Sequence, residues 1–246
     1  MIEKHVDIAT KDGTADTFVC HPERGGPYPA IIFYMDAPGI REELYDMVRR
    51  MASVGYHVIL PNLFYRSGRG ALLTAEATVP ESAEQKKMFG LMARISNSLI
   101  AEDTAGFLAF LDAQPEVKKG PLGSVGYCMS GPYAMVAAAS FPERFGAAAS
   151  LHGVPFITDL PDSAHLMMGR IKAEAYFGFG CVDFLTPQKD IDAFAAVLKK
   201  TSLKYELEMY DNCNHGYVFP QRAFYNKTAA ERHWERLFAL YRRNIG

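Results

Sequence analysis

Apolar positions along the chain keep two rhythms that take turns. Near the start, "HVDIAT" and "ADTFVC" mix apolar and polar residues in short alternation, with the turn signal "KDG" between them. That pattern predicts an antiparallel hairpin at a sheet edge. The next run, "PAIIFYMD" (29–36), is apolar without alternation, as a strand buried on both faces requires. Residues 41–55 then place Leu44, Met47, Val48 and Met51 at helical spacing and stop at Gly55. Further strands are predicted at 56–64, 123–128, 146–153, 173–180 and 203–210, and helices at 81–94, 97–113, 131–141, 187–200 and 227–243. Residues 66–80 read as loop, Pro187 marks the first turn of its helix, and the last helix carries Trp234, Leu237 and Leu240 on one side. Short strands alternating with longer helices predict an α/β protein: a mostly parallel central sheet, helices on both faces and an N-terminal antiparallel hairpin. No repeat or low-complexity linker interrupts the 246 residues, so one domain spanning 1–246 is expected.

Composition narrows the classes of function. With 49% apolar and 22% charged residues the chain has ample material for a core and no disorder signature. A formal charge of −2 without any basic block gives no electrostatic footprint for nucleic acid. No uninterrupted apolar stretch reaches the length of a membrane span, and the charged opening "MIEKHVDIATKDG" is not a signal peptide. Cys20, Cys128, Cys181 and Cys213 are scattered without C-x-x-C spacing, which predicts free thiols, no zinc site and a cytoplasmic setting.

In a parallel sheet, ligands gather beyond the carboxyl ends of the strands. The chemistry-bearing residues just after the predicted strands are Asp36, Asn62, Cys128, His152, Asp183 and His215. One of them stands in an unusual context, "SVGYCMSGPYAMVAAA" (124–139), where Gly126, Ser130 and Gly131 fence Cys128 at a strand-to-helix corner. Small flanking residues are what a nucleophile elbow demands, because the turn is too sharp for side chains there. The alternative is a tight turn holding an inert buried cysteine. An elbow needs an acid and then a histidine later in the chain, each after a strand. Asp183 and His215 fill those places; Asp190 falls inside a predicted helix and Asp211 too close to a strand end.

"VGYCMSG", the Asp of "GCVDFLTP", the "NHGYVF" loop and "FYMDAPGI" together resemble the dienelactone hydrolases of the α/β-hydrolase superfamily, across nearly the whole chain. The resemblance implies hydrolysis of an ester or lactone without a cofactor, by a triad of Cys128, Asp183 and His215. It implies a thioester on Cys128 and oxyanion donors from the backbone N–H groups of Met129 and Ala37. It also implies a Glu after the first central strand, paired with the resting cysteine; here Asp36 stands there, one bond shorter. Arginines that grip a substrate carboxylate are missing: Gln85, Phe89 and Met92 occupy the helix before the elbow, Phe219 follows the histidine, and the nearest arginine is Arg222. Arg66 and Arg69 read as surface charge. A more apolar ester, lactone or thioester is therefore expected, with Phe89, Met92, His152, Tyr217 and Arg222 as candidate contacts. The competing readings are a thioesterase on the same triad and a non-catalytic, thiol-based redox sensor. The expected partner is a small molecule, not nucleic acid or membrane, and the expected state a monomer or homodimer.

Overall fold

The computed structural model describes the whole chain, Met1–Gly246, and its contacts divide it into two compact units, Met1–Lys119 and Gly120–Gly246. The first contains β1 (Ile2–Thr10), β2 (Gly13–His21), β3 (Ala30–Tyr34), α1 (Glu42–Ser53), β4 (His57–Pro61), α2 (Ala83–Met92) and α3 (Asn97–Ala113). Its strands lie in the order β1-β2-β4-β3. β1 and β2 pair antiparallel from Ile2↔His21 to Thr10↔Gly13, the predicted hairpin. β2 joins β4 antiparallel, whereas β3 and β4 are parallel and every residue of both is buried, which explains their unbroken apolar runs.

α1 buries the stripe Leu44, Met47, Val48 and Met51, and Glu42 and Glu43 in its first turn complement the helix dipole. α2 is shorter than the pattern suggested, because Glu81 takes φ +61° and the Ser82 side chain caps the helix by accepting from the Gln85 N–H. Residues 62–82 are loop apart from a 3₁₀ turn at Ala75–Thr78. Arg66 pairs with Asp12 and Asp103, and Arg69 pairs with Asp7, so both guanidinium groups are already matched.

His21 and His57 stack face to face, 4.9 Å apart, where β2 ends and β4 begins. Burial, with help from the charge of His21, pushes His57 down to about 4, and neither of its ring nitrogens has a hydrogen-bond partner. A histidine depressed in the folded state takes its proton only on unfolding, so its contribution to stability is lost as pH falls below about 6.5 toward 4. We expect about 2 kcal/mol of stability to disappear through this group between pH 7 and pH 5. His57→Phe, which keeps the stack, should flatten that stretch of the urea-denaturation profile. An unchanged slope in the variant would refute the assignment.

The second unit contains β5 (Leu122–Tyr127), α4 (Ser130–Ser140), β6 (Phe145–Leu151), β7 (Glu174–Gly180), α5 (Gln188–Leu198), β8 (Tyr205–Tyr210) and α6 (Lys227–Asn244). Its strands run β5-β6-β7-β8, and all three pairings are parallel. Four of the six pairings within the two units are thus parallel, the mostly parallel sheet that the pattern predicted. α6 buries Trp234, Leu237 and Leu240. Phe156 and Phe194 stack at 4.0 Å, with Phe177 edge-on to both, an aromatic cluster whose members each contribute roughly 2–3 kcal/mol by burial. β6 stops at Leu151, earlier than predicted, because His152 turns to φ +40° and leaves the ladder. No helix is long and apolar enough to cross a membrane.

Candidate active site

Because β5 to β8 are parallel neighbours, their carboxyl ends share one edge of the second unit. Cys128, His152, Asp183 and His215 all follow those ends. The corner at Cys128 has the predicted geometry. Its backbone takes φ +55°, a region that strains a side-chain-bearing residue and that persists only where surrounding structure enforces it. The enforcement is visible in Gly126: a Cβ there would sit 1.8 Å from the carbonyl oxygen of Ser130. Gly131 is equally confined, since its Cβ would meet Ser150 Oγ at 2.3 Å and Gly153 Cα at 2.5 Å. The chain therefore folds back on itself and leaves Cys128 half-buried at the tip. Met129 is the N-cap of α4, so the first turn of that helix follows Cys128 directly, and the Gly131 N–H donates to the Cys128 carbonyl at 3.0 Å.

Asp183 is buried, and each of its oxygens has a task. Oδ1 accepts from the N–H groups of Leu185 (2.8 Å) and Thr186 (3.2 Å), while Oδ2 lies 2.9 Å from Nδ1 of His215. That contact leaves Nε2 as the ring nitrogen not engaged by Asp183. Burial acts to lower the His215 pKa, but the negative charge of Cys128 and the hydrogen bonds to Asp183 and Cys128 outweigh it, so the net displacement is upward. The same sulfur charge acts on Tyr133 of α4, whose phenol is pushed up to about 12, first by burial and then by Cys128. Tyr133 is thus a neutral phenol.

Asn214 is an unforeseen contributor. Its Oδ1 accepts from its neighbour His215 N–H at 2.7 Å and from the Phe184 N–H at 3.2 Å, tying the loop of Asp183 to the loop of His215. Asn214→Ala should lower kcat/KM roughly tenfold to a hundredfold through misplacement of His215, whereas Asn214→Asp, which retains the acceptor, should recover most of it. Equal losses in the two variants would show that the acceptor is not what matters.

His152 lies wholly buried against the His215 ring, edge-on, with centroids 4.8 Å apart, and against Tyr217 and Phe219 at 5.6 Å each. Its N–H donates to Gly178 at 2.7 Å, but neither ring nitrogen has a protein partner. Burial first, and then the charge of His215, hold it far below the usual histidine range, so it is a neutral ring. A cavity of about 200 Å³ opens between the loop after β6 and α5, lined by Val154, Phe156, Phe179, Thr186 and Phe194 among others. No side chain of Cys128, Asp183 or His215 lines it.

The dienelactone hydrolase family model matches residues 15–244 of this sequence, across both units. The chain belongs to the dienelactone hydrolase family. A Synechocystis protein provisionally named a carboxymethylenebutenolidase is 26% identical over 231 residues, covering 93% of this chain and 91% of that protein. A Methylorubrum extorquens protein with the same provisional name is 23% identical, covering 98% of this chain and 81% of its own. Among solved structures, one from Klebsiella pneumoniae, provisionally named a dienelactone hydrolase, superposes with a TM-score of 0.86 at 21% identity and 98% coverage of both chains. A promiscuous, dienelactone hydrolase-like phosphotriesterase from metagenomic libraries superposes with a TM-score of 0.82 at 18% identity, covering 100% of this chain and 99% of its own. These likenesses carry the α/β-hydrolase fold.

The remaining candidates of this dienelactone hydrolase family member are placed as follows. In the first unit, Asp36 is buried just beyond β3, and Arg41 grips it with both guanidinium nitrogens, at 2.5 and 3.1 Å. Arg41 also holds Glu43 at 2.8 Å and the Gly39 carbonyl at 3.1 Å. The Asp36 carboxylate is thus committed to an ion pair that the sequence reading did not foresee. Ala37 follows it in a turn closed by the Gly39 N–H on the Asp36 carbonyl at 2.9 Å. Phe89 lies on α2 and is 54% exposed; Met92 ends the same helix, half-buried. In the second unit, Tyr217 is core, packed on Tyr210 at 4.9 Å, and Arg222 caps the Phe219 ring at 5.7 Å.

Proposed function

We propose that the protein hydrolyses a carboxylic ester or lactone through Cys128, with Asp183 and His215 completing the triad. The observation that carries this reading is the 2.9 Å Asp183–His215 contact beside a cysteine held at φ +55° on a strand-to-helix corner. The thiolate of Cys128 attacks the acyl carbon, forming a C–S bond while the carbonyl electrons move onto oxygen. The backbone N–H of Met129, the residue after the nucleophile, holds that oxyanion. On collapse the C–O bond breaks, and His215 gives its proton to the departing alkoxide. His215 then takes a proton from water, whose oxygen attacks the thioester and expels the thiolate. Asp183 fixes the His215 tautomer throughout.

Family membership and the provisional names of the relatives support an ester or lactone substrate. The expectation of an apolar rather than carboxylated substrate gains support from Arg66 and Arg69, which are spent on Asp12, Asp103 and Asp7. The redox-sensing alternative loses ground: burial pushes the Cys213 thiol up to about 11, and burial together with Asp211 raises Cys181. Thiols displaced that way are poor nucleophiles for disulfide exchange. The test is intact-protein mass spectrometry within seconds of mixing with small aryl esters and lactones. A transient acyl adduct that maps to Cys128 is expected. Turnover without any adduct, in the wild type and in Cys128→Ser alike, would remove the cysteine mechanism.

A further inference from the structure

Two exposed aromatic rings sit at the edge of the triad. Phe184 immediately follows Asp183, is 62% exposed, and has its ring centroid 6.2 Å from that of His215. Phe224, 48% exposed, lies 6.0 Å from Phe184. Solitary exposed apolar side chains are ordinary on protein surfaces, but an aromatic pair beside a catalytic base is not.

Both rings are carried on backbone that is tied down. The Phe184 N–H donates to Asn214 Oδ1, and the next two N–H groups donate to Asp183 Oδ1. Phe224 stands in a chain of turns: Phe219 N–H to Gly216 O, Arg222 N–H to Phe219 O, Tyr225 N–H to Arg222 O, each 3.0–3.1 Å. The segment is closed by the Asn226 N–H on the Tyr217 carbonyl at 3.0 Å. The rings are therefore presented at a fixed place rather than at a loose tip.

Position relative to His215 tells which part of a substrate they meet. In acyl transfer through a cysteine, the histidine delivers its proton to the oxygen of the departing alcohol. Substrate atoms next to the His215 ring belong to the alcohol half of the ester, not to its acyl half. We propose that Phe184 and Phe224 form a shelf for an aromatic or bulky apolar alcohol group, so that the favoured substrates are esters of such alcohols. This rests on the triad assigned above. All esters of one acid give the same thioester on Cys128, so the shelf acts on acylation and leaves deacylation untouched.

The test uses acetate esters that differ only in the alcohol: methyl, benzyl and 2-naphthylmethyl. Comparing variant with wild type on each ester cancels intrinsic leaving-group reactivity. In F184A/F224A, kcat/KM for the benzyl and naphthylmethyl esters should fall roughly tenfold to a hundredfold, the range expected for lost apolar contacts in a pocket. Methyl acetate should change less than about threefold, and the lifetime of the acetyl-Cys128 adduct should not change. F184L, which keeps apolar bulk, should lie between. A uniform change across the three esters, or a change in adduct lifetime, would overturn the shelf. So would a wild-type dimer that the variants dissociate while ester preference stays put, since a second copy of the chain would then cover the rings. Absence of turnover and of any adduct in the wild type would instead refute the triad, and the shelf with it.

Discussion

Cys128→Ala should reduce kcat/KM on any ester substrate by at least roughly a thousandfold while leaving the fold in place. The sulfur is half-buried at a corner whose shape is set by Gly126, Gly131 and the backbone, so circular dichroism and Tm should match the wild type closely. His215→Ala should give a comparable loss, with a distinct signature. Without the base, water is not activated, and the acyl adduct on Cys128 should persist far longer than the wild-type adduct. Asp183→Asn should lose activity on the same scale, since the amide presents an N–H where Nδ1 needs an acceptor 2.9 Å away. The double variant Cys128→Ala/His215→Ala should be no worse than Cys128→Ala, because groups that act as one unit are not additive. Retention of a tenth or more of wild-type activity in Cys128→Ala would end the cysteine mechanism.

Gly126→Ala should be the most destabilising single methyl in the second unit. The added carbon would stand 1.8 Å from the Ser130 carbonyl oxygen and 2.4 Å from its carbon, both backbone atoms that no rotamer change relieves. Relief requires pulling α4 away from β5, which reopens the corner that exposes Cys128. A loss of roughly 3 kcal/mol or more is expected, some 6–12 °C in Tm for a chain of this size, and the folded remainder should be inactive. Gly90→Ala is the matched control. Gly90 is helical, a Cβ there meets nothing within 4 Å, and alanine should raise stability by about 0.5–1 kcal/mol. Differential scanning fluorimetry of the pair gives the answer; a Gly126→Ala protein within about 1 kcal/mol of wild type would show that the corner is not built by exclusion.

Much of this molecule is legible in its one-dimensional pattern. The unbroken run at 29–36 becomes β3, the stripe Leu44, Met47, Val48 and Met51 becomes the buried face of α1, and the "KDG" hairpin pairs from Ile2 to His21. Local backbone chemistry and periodicity act within a few residues, so they survive in the sequence. That Cys128, Asp183 and His215 stand after β5, β7 and β8 is legible for a related reason: parallel strands deliver their carboxyl ends to one edge, and each candidate follows such an end. Even where the pattern misjudged a boundary, a single local conformation was responsible, φ +61° at Glu81 and φ +40° at His152.

What the sequence could not carry are the side-chain pairings set by the paths of the loops, near or far along the chain. Asp36 was read against a missing glutamate, yet its partner is Arg41, chosen by the turn that folds one onto the other. Tyr217, a candidate contact by sequence, is buried and packs on Tyr210 at the end of β8. Phe184 and Phe224 lie forty positions apart with nothing in their spacing to join them; Asn214 and the chain of turns after His215 bring them to one face. The orphaned nitrogens of His152 are likewise invisible until the rings of His215, Tyr217 and Phe219 close around it. Period and spacing determine which residues reach the carboxyl edge of the sheet. Only the packed loops decide which of them touch, because side-chain contact depends on backbone paths that neither periodicity nor motif order encodes.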